Sequence, residues 1–257
     1  MTTSSPLAAR PVALVVGASG GLGQALAREL AAQGWRVALL ARRQAVLEGL
    51  AHDLNARHGP DTARAYPRDV TDYDAVGPTF RQILQDMGRL DAVLYGAGVL
   101  HPTAEAEFDF AKDRVMLEVN LTAAVAWLDQ AATLFHMLGR GHIVGISSVA
   151  GDRGRVGMPA YHAAKAGLTT YLESLRNRLT RHGVHVLTVK PGFIDTPMLQ
   201  TARPKKVFWV ASPEQVARDV VRAMRRRKQV IYTPARWRWV MLVIQHIPSF
   251  VFRRLAL

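Results

Sequence analysis

Tyr161 and Lys165 stand four residues apart in Tyr161-His162-Ala163-Ala164-Lys165, a spacing that brings both side chains to one face of a helix. A phenol titrates near pKa ~10, so it serves as an acid or base near neutral pH only beside a cation. An ammonium one turn away is such a partner, and the pair can hold and pass a proton. A Tyr/Lys pair at this spacing is common on helix surfaces, so its neighbours decide its meaning. Thirteen residues earlier stands Ser148, a hydroxyl that can hydrogen-bond the same oxygen, and 28 residues before that Asn120. Ser147 competes with Ser148 for that part.

A second cluster precedes these. Gly17-Ala18-Ser19-Gly20-Gly21-Leu22-Gly23 follows an apolar run and opens a helical pattern. Glycines permit a tight turn and close approach of a pyrophosphate, and a helix start offers free N–H groups and partial positive charge. The next apolar run ends in Arg42-Arg43, where a carboxylate would favour NAD(H) and a guanidinium favours a 2′-phosphate. Arg42 therefore points to NADP(H), with NAD(H) the lesser alternative. Asp69 and Val70 follow the third run, placed to meet an adenine, and Ala97 and Gly98 follow the fourth.

Positioning such groups requires strands that end together. Short runs at Val12–Val16, Arg36–Leu40, Arg64–Pro67, Ala92–Tyr95, His142–Ile146, His185–Lys190 and Gln229–Tyr232 read as strands, with helices between them such as 21–33, 109–138 and 161–181. Alternation of strand and helix predicts an α/β single domain of Rossmann type: a doubly wound, mainly parallel seven-stranded sheet with helices on both faces. Ligands of such folds lie beyond the carboxyl ends of the strands, where the groups above fall.

Taken together the motifs resemble the short-chain dehydrogenase/reductase family over about residues 13–232. The matching parts are Gly17, Gly21 and Gly23; Asn120 in Val119-Asn120-Leu121; Ser148; the Tyr161/Lys165 motif; and Pro191-Gly192-Phe193-Ile194-Asp195-Thr196. The resemblance implies hydride transfer between NADP(H) and a carbonyl or secondary alcohol. It implies Tyr161 as proton donor and acceptor, and Ser148 as the group stabilising the substrate oxygen. Lys165 would lower the phenol's pKa and hold the nicotinamide ribose, and Asn120 would seat a water that relays protons. Cofactor contacts would come from Gly17, Ser19, Gly21, Leu22, Gly23, Arg42, Arg43, Asp69, Val70, Ala97, Gly98, Pro191, Gly192, Ile194 and Thr196. Two departures stand out: Val16 precedes the glycine turn where many relatives carry threonine, and Tyr95-Gly96-Ala97-Gly98 replaces the usual Asn-Asn-Ala-Gly.

Of the 257 residues none is cysteine, which excludes disulfides, thiolate metal sites and cysteine nucleophiles, and the nine histidines show no metal-ligand spacing. No metal is expected. Residues 1–10 lack a signal-peptide pattern and read as a disordered tail before a catalytic domain at 11–233, with a cytoplasmic location expected. The formal charge of +13 gathers after Thr201, where thirteen Lys/Arg face only Glu214 and Asp219. Residues 234–257 combine Trp237, Trp239 and arginines with an apolar run too short to span a bilayer. That composition suits a segment on an anionic membrane surface or an arm against another subunit of a homodimer or homotetramer. The same tail is similar to that of decaprenylphosphoryl-2-keto-ribose reductase-like members, which implies a lipid-linked substrate such as a polyprenyl-phosphate keto sugar, or else a long-chain ketone. The alternative from another class is a non-enzymatic NADP(H)-binding sensor or nucleic-acid-binding protein; no nucleic-acid motif accompanies the charge, so no nucleic-acid partner is expected.

Overall fold

In the computed structural model of the chain, residues 10–202 and 207–255 are described. Seven parallel strands form one sheet in the order β3-β2-β1-β4-β5-β6-β7: β1 Val12–Val16, β2 Arg36–Ala41, β3 Ala63–Pro67, β4 Ala92–Tyr95, β5 Gly141–Ile146, β6 Val184–Pro191 and β7 Val230–Thr233. The central strands β1 and β4 read as unbroken apolar runs because both faces are covered, and every residue of each is buried. Helices α1 Gly21–Ala32, α2 Gln44–His58 and α8 Pro213–Arg225 pack on one face around Val15, Leu39 and Leu94. Helices α3 Tyr73–Met87, α5 Ala123–Leu138 and α6 Pro159–Leu179 cover the other around Leu14, Val93 and Ile143. Short α7, Pro197–Ala202, lies beyond β6.

The order reverses between β1 and β4, and this is where connections leave in opposite directions and open a crevice. Register places the ends of the central strands level: Val16 pairs with Leu40 and with Tyr95, and Tyr95 with Gly145. The motif residues that follow these strands thus come to one edge.

The stretch read as one helix over 109–138 is broken. Asp109 is its N-cap, accepting from the N–H groups of Ala111 and Lys112, and α4 runs Phe110–Leu117. A π-helical turn over Glu118–Thr122 then separates it from α5. One extra residue in the turn cannot be seen in apolar periodicity, and such turns gather at functional sites. Helix α6 begins at Pro159, so Tyr161 stands in its first turn, and it ends at Leu179 before a 3₁₀ turn, Thr180–His182. At the N-terminus, Arg10 does not share the freedom expected of the tail: its guanidinium donates to Gly34 O, Trp35 O and Thr62 Oγ1. The remainder of that expected tail, residues 1–9, lies outside the described residues. After β7 the chain forms α9 Trp237–His246 and α10 Ser249–Phe252. No helix among the described residues is long and apolar enough to cross a membrane.

Candidate active site

Gly17 has φ +90°, and a Cβ there would lie 2.5 Å from the backbone nitrogen of Ala97, so only glycine lets the first and fourth strand ends approach. Gly23 is equally confined, since a Cβ would lie 2.1 Å from Gly17 O. Helix α1 starts at Gly21 with no side-chain cap. Its first N–H groups thus face the crevice without a side-chain acceptor, the condition for binding a phosphate. Thr196 comes against the same turn, its Cγ2 3.1 Å from where a Gly21 Cβ would be. Its hydroxyl lies 3.4 Å from Ile194 O, and Ile194 is held by a bridge to Ala211.

The two arginines after β2 separate in role. Arg43 donates to Ser19 Oγ at 3.2 Å and to Ser19 O at 2.6 Å, bracing the glycine turn. Arg42 reaches out, its side chain 68% exposed and 3.6 Å from Asp69. Burial pushes the Asp69 carboxyl up, but the N–H and hydroxyl of Thr71 and the Arg42 charge bring it below its ordinary value. Val70 is buried, and its carbonyl accepts from Trp127 Nε1. Leu22 packs its side chain on the core, leaving its backbone to the crevice edge. These residues fit a dinucleotide: glycines for close approach, uncapped N–H groups for the pyrophosphate and a guanidinium for a 2′-phosphate.

The chemistry-bearing residues meet beyond β4 and β5. Tyr161, Lys165 and Asn120 are buried and Ser148 is half-buried. Lys165 Nζ donates to Ile146 O at 3.0 Å and lies 5.7 Å from the Tyr161 ring centre. Asn120 Nδ2 donates to Val99 O and to Met116 O, each at 2.8 Å. Within the π turn the N–H of Ala123 reaches Glu118 O, five residues back, so the widened turn is bonded at a different step from the helices around it. Tyr95 explains one departure from the family pattern: buried at the end of β4, its hydroxyl donates to Val119 O at 2.7 Å and ties the strand to the π turn. Asn120 Oδ1 is buried without a partner and would lie 2.8 Å from a Cβ on Gly98, so the space between them admits only a small group.

Ser147 and Ser148 part company. Ser147 Oγ donates to Lys165 O at 2.9 Å and meets Thr169 Oγ1 at 2.8 Å, fastening β5 to α6. Ser148 caps the following turn by accepting from Ala150 N–H at 3.1 Å, and its hydroxyl acts on that of Tyr161. Burial pushes the Tyr161 hydroxyl up to about 12, and the Ser148 hydrogen bond acts against it. Burial brings Lys165 down to about 8. Of the influences on the phenol, burial raises it and Ser148 opposes that, while Lys165 Nζ is engaged with the carbonyl of Ile146.

The sequence did not disclose a third layer around these groups. The Trp237 ring covers Gly192, where a Cβ would lie 1.9 Å from the indole nitrogen, while Gly192 N–H donates to Thr233 O. Pro191 ends β6 beside them. Asp152 forms a buried pair with Lys190 at 2.5 Å and accepts from the Tyr232 hydroxyl at 2.9 Å, joining the loop between Ser148 and Tyr161 to β6 and β7. None of these contacts has a local sequence signal, since the partners are 38 and 80 residues apart.

A doubly wound sheet with a glycine turn at its switch point defines a dinucleotide-binding protein, and Tyr161 and Lys165 beside Ser148 narrow the class. The family model for short chain dehydrogenase matches residues 11–207. The chain belongs to the short-chain dehydrogenase family, NAD(P)-dependent oxidoreductases acting on C–OH and C=O groups. An uncharacterized oxidoreductase of Mycobacterium tuberculosis strain H37Rv is 33% identical over 247 residues, 95% of this chain and 96% of its own. Another, from Myxococcus xanthus, is 39% identical over 189 residues, 74% of each chain. Among solved structures, actinorhodin polyketide ketoreductase with NADPH superposes with TM-score 0.79 at 26% identity, covering 88% of this chain and 96% of that one. A short-chain dehydrogenase from Sphingobium yanoikuyae in complex with NADPH gives 0.81 at 24% identity, covering 93% and 97%, which speaks for the fold.

Proposed function

We propose that this chain reduces a carbonyl group, or oxidises the corresponding secondary alcohol, with NADP(H) as cofactor. The observation that carries the reading is the convergence of Ser148, Tyr161 and Lys165 at the edge that also holds the Gly17–Gly23 turn. NADP(H) in place of NAD(H) is supported by Arg42, which projects into solvent where an adenosine 2′-phosphate would lie, and by NADPH in the actinorhodin ketoreductase structure. The bound nicotinamide supplies or accepts the hydride. Tyr161 holds the proton at its phenolic oxygen and gives it to the carbonyl oxygen during reduction, and takes it back in oxidation. Ser148 donates to the same oxygen as charge develops there. Lys165, at the mouth of the carbonyl of Ile146, holds the cofactor's ribose and receives the proton that replaces the one Tyr161 spends. Asn120, through its free Oδ1, keeps a small polar site beside Gly98 for a relay water.

The remaining cofactor contacts are Ser19, Gly21, Leu22, Gly23, Arg43, Asp69, Val70, Ala97, Gly98, Pro191, Gly192, Ile194 and Thr196. The substrate is a carbonyl compound carried by a lipid, a polyprenyl-phosphate keto sugar or a long-chain ketone. The enzyme is a homodimer or homotetramer in the cytoplasm, peripheral to the membrane's inner face. Support for the lipid reading is the basic, apolar stretch after Thr233.

Tyr161→Phe is the test. Substrate screening by NADPH consumption, including lipid-linked keto sugars and long-chain ketones, first gives an accepted ketone. The variant is then expected to bind NADPH as before and to lose turnover by about 10²-fold or more. Near-normal turnover removes Tyr161 from its role.

A further inference from the structure

The chain beyond Thr233 folds back on the body. Helix α9 buries Trp237 and Met241 against Val149 and Phe193, immediately behind the catalytic serine. Arg153, in the loop between Ser148 and Tyr161, donates to the carbonyls of Ile244, Gln245 and Ile247 at 2.5, 3.2 and 2.6 Å. Those carbonyls lie at a helix C-terminus, short of amide partners and at the negative end of the dipole, so a guanidinium completes them. The same guanidinium lies 3.9 Å from the Phe252 ring centre. One side chain thereby holds both α9 and α10 to the catalytic loop.

What faces outward is apolar and rimmed by cations. Trp239 and Val243 on α9 are 66% and 65% exposed, and Phe250 on α10 is 61% exposed. A strip distant in sequence joins them: Phe208 stacks on Trp237 at 5.1 Å, and Trp209, itself partly exposed, lies 4.6 Å beneath the Arg236 guanidinium. Arg238 sits 5.8 Å from the Trp239 ring. From Val220 to Leu257 there is no Asp or Glu.

Charge decides what covers this face. A second copy meeting it through the same patch, as in a two-fold dimer, would set Arg236, Arg238, Arg253 and Arg254 against their own counterparts with no Asp or Glu of the segment to pair them. An anionic lipid surface supplies the opposite charge, seats indole rings at headgroup depth and takes aliphatic side chains below them. Ten residues of α9 are too few to cross a bilayer, so the helix lies in the surface.

We propose that α9, α10 and the Phe208-Trp209 strip form one docking face for an anionic lipid bilayer, and that Arg153 fixes the orientation in which the catalytic loop meets it. The proposal deepens the lipid-borne-substrate reading and rests on it for its consequence in catalysis, but docking is read without turnover.

The experiment is co-sedimentation of the full chain with phosphatidylcholine vesicles, with and without phosphatidylglycerol. Binding is expected on the anionic vesicles, weakened by salt and accompanied by a blue shift of tryptophan emission. Replacing Arg253 and Arg254 by Gln is expected to weaken partitioning by about thirtyfold. Val243→Asp is expected to abolish it while thermal stability and turnover of a soluble ketone stay unchanged. Arg153→Gln is expected to keep vesicle binding but to raise KM for a vesicle-embedded long-chain ketone and not for the soluble one. Absence of the chain from both vesicle pellets overturns the docking face, as does partitioning that none of the variants alters, or a soluble oligomer that Val243→Asp dissociates. Equal effects of Arg153→Gln on both ketones overturn its positioning role. If no ketone is turned over by the wild-type chain, the reading of the active site fails, and vesicle binding still decides the docking face.

Discussion

A buried ammonium with no carboxylate beside it costs the folded chain energy, and Lys165 is such a group: burial brings it from 10.5 down to about 8. Below about 8 folded and unfolded chains both hold the proton, and the folded one bears the full cost of burying it. Between about 8 and 10.5 the unfolded chain holds more protons than the folded one, so stability rises with pH across that window. Lys165 should therefore contribute a gain of roughly 3 kcal/mol across it in the cofactor-free chain, read as the difference between wild-type and Lys165→Met unfolding free energies, in which the raised tyrosines that lose stability near pH 10 cancel. A wild-type minus Lys165→Met difference that falls with pH would mean that Lys165 gains a counter-charge on folding. Tyr161 is shifted the other way, to about 12, so it keeps its proton through neutral pH. Carbonyl reduction should be flat there because the donor is already charged with its proton, while alcohol oxidation should climb with pH as the proton leaves more readily. Rate profiles in both directions check this; a reduction rate that fell off near neutral pH would show that the bound cofactor governs the phenol instead.

At the scale of elements, long-range ties hold the loops that carry the site. Asp91, just before β4, accepts from Val12 N–H and pairs with Arg89 and Arg140, linking the starts of three strands. Burial pushes its carboxyl up, yet the arginines and the Val12 N–H outweigh that and hold it below its ordinary value. Its contribution is therefore present at neutral pH and is lost as pH falls through the folded-state pKa. Asp91→Asn should cost about 1–2 kcal/mol at pH 7 and much less in acid, read by denaturant midpoint, because it removes the charge that the part-exposed Arg89 and Arg140 guanidiniums meet there. Gly192 is the complementary case. Alanine there would place its Cβ 1.9 Å from the Trp237 indole, which must move, and α9 with it. Gly192→Ala should lower stability by about 1–3 kcal/mol and redden or dequench tryptophan emission; an unchanged spectrum would show that Trp237 does not cover the Pro191-Gly192 turn. Nothing local in the sequence marks the ties of Asp91 to Val12 and Arg140 or of Gly192 to Trp237, whose partners lie 79, 49 and 45 positions apart. The π turn escaped for another reason: a single inserted residue shifts the helix face by one step, and the apolar residues on either side still look periodic.

Over the whole molecule, cofactor binding and folding are linked, since a ligand that binds only the folded chain stabilises it by about 2.7 kcal/mol at a hundred times its Kd. NADPH should raise the melting temperature more than NADH at equal concentration, and Arg42→Ala should erase most of the difference; equal shifts with both nucleotides, unaffected by Arg42→Ala, would dismiss the 2′-phosphate argument. The sequence by itself determined the doubly wound sheet, because buried parallel strands must be apolar runs and their crossovers must be helices. It also marked the glycine turn and Asn120, Ser148, Tyr161 and Lys165, since close backbone approach and proton transfer tolerate few residue types. Only the tertiary structure decided which serine faces the phenol, for Ser147 and Ser148 are chemically alike and differ in what stands across from them. It also divided the adjoining arginines, setting Arg43 on Ser19 and turning Arg42 outward beside Asp69. The last stretch shows the limit most clearly: its composition marked an apolar, basic segment, but its attachment to the catalytic loop depends on Arg153 meeting carbonyls 91 to 94 residues away, a distance in sequence that only folding closes.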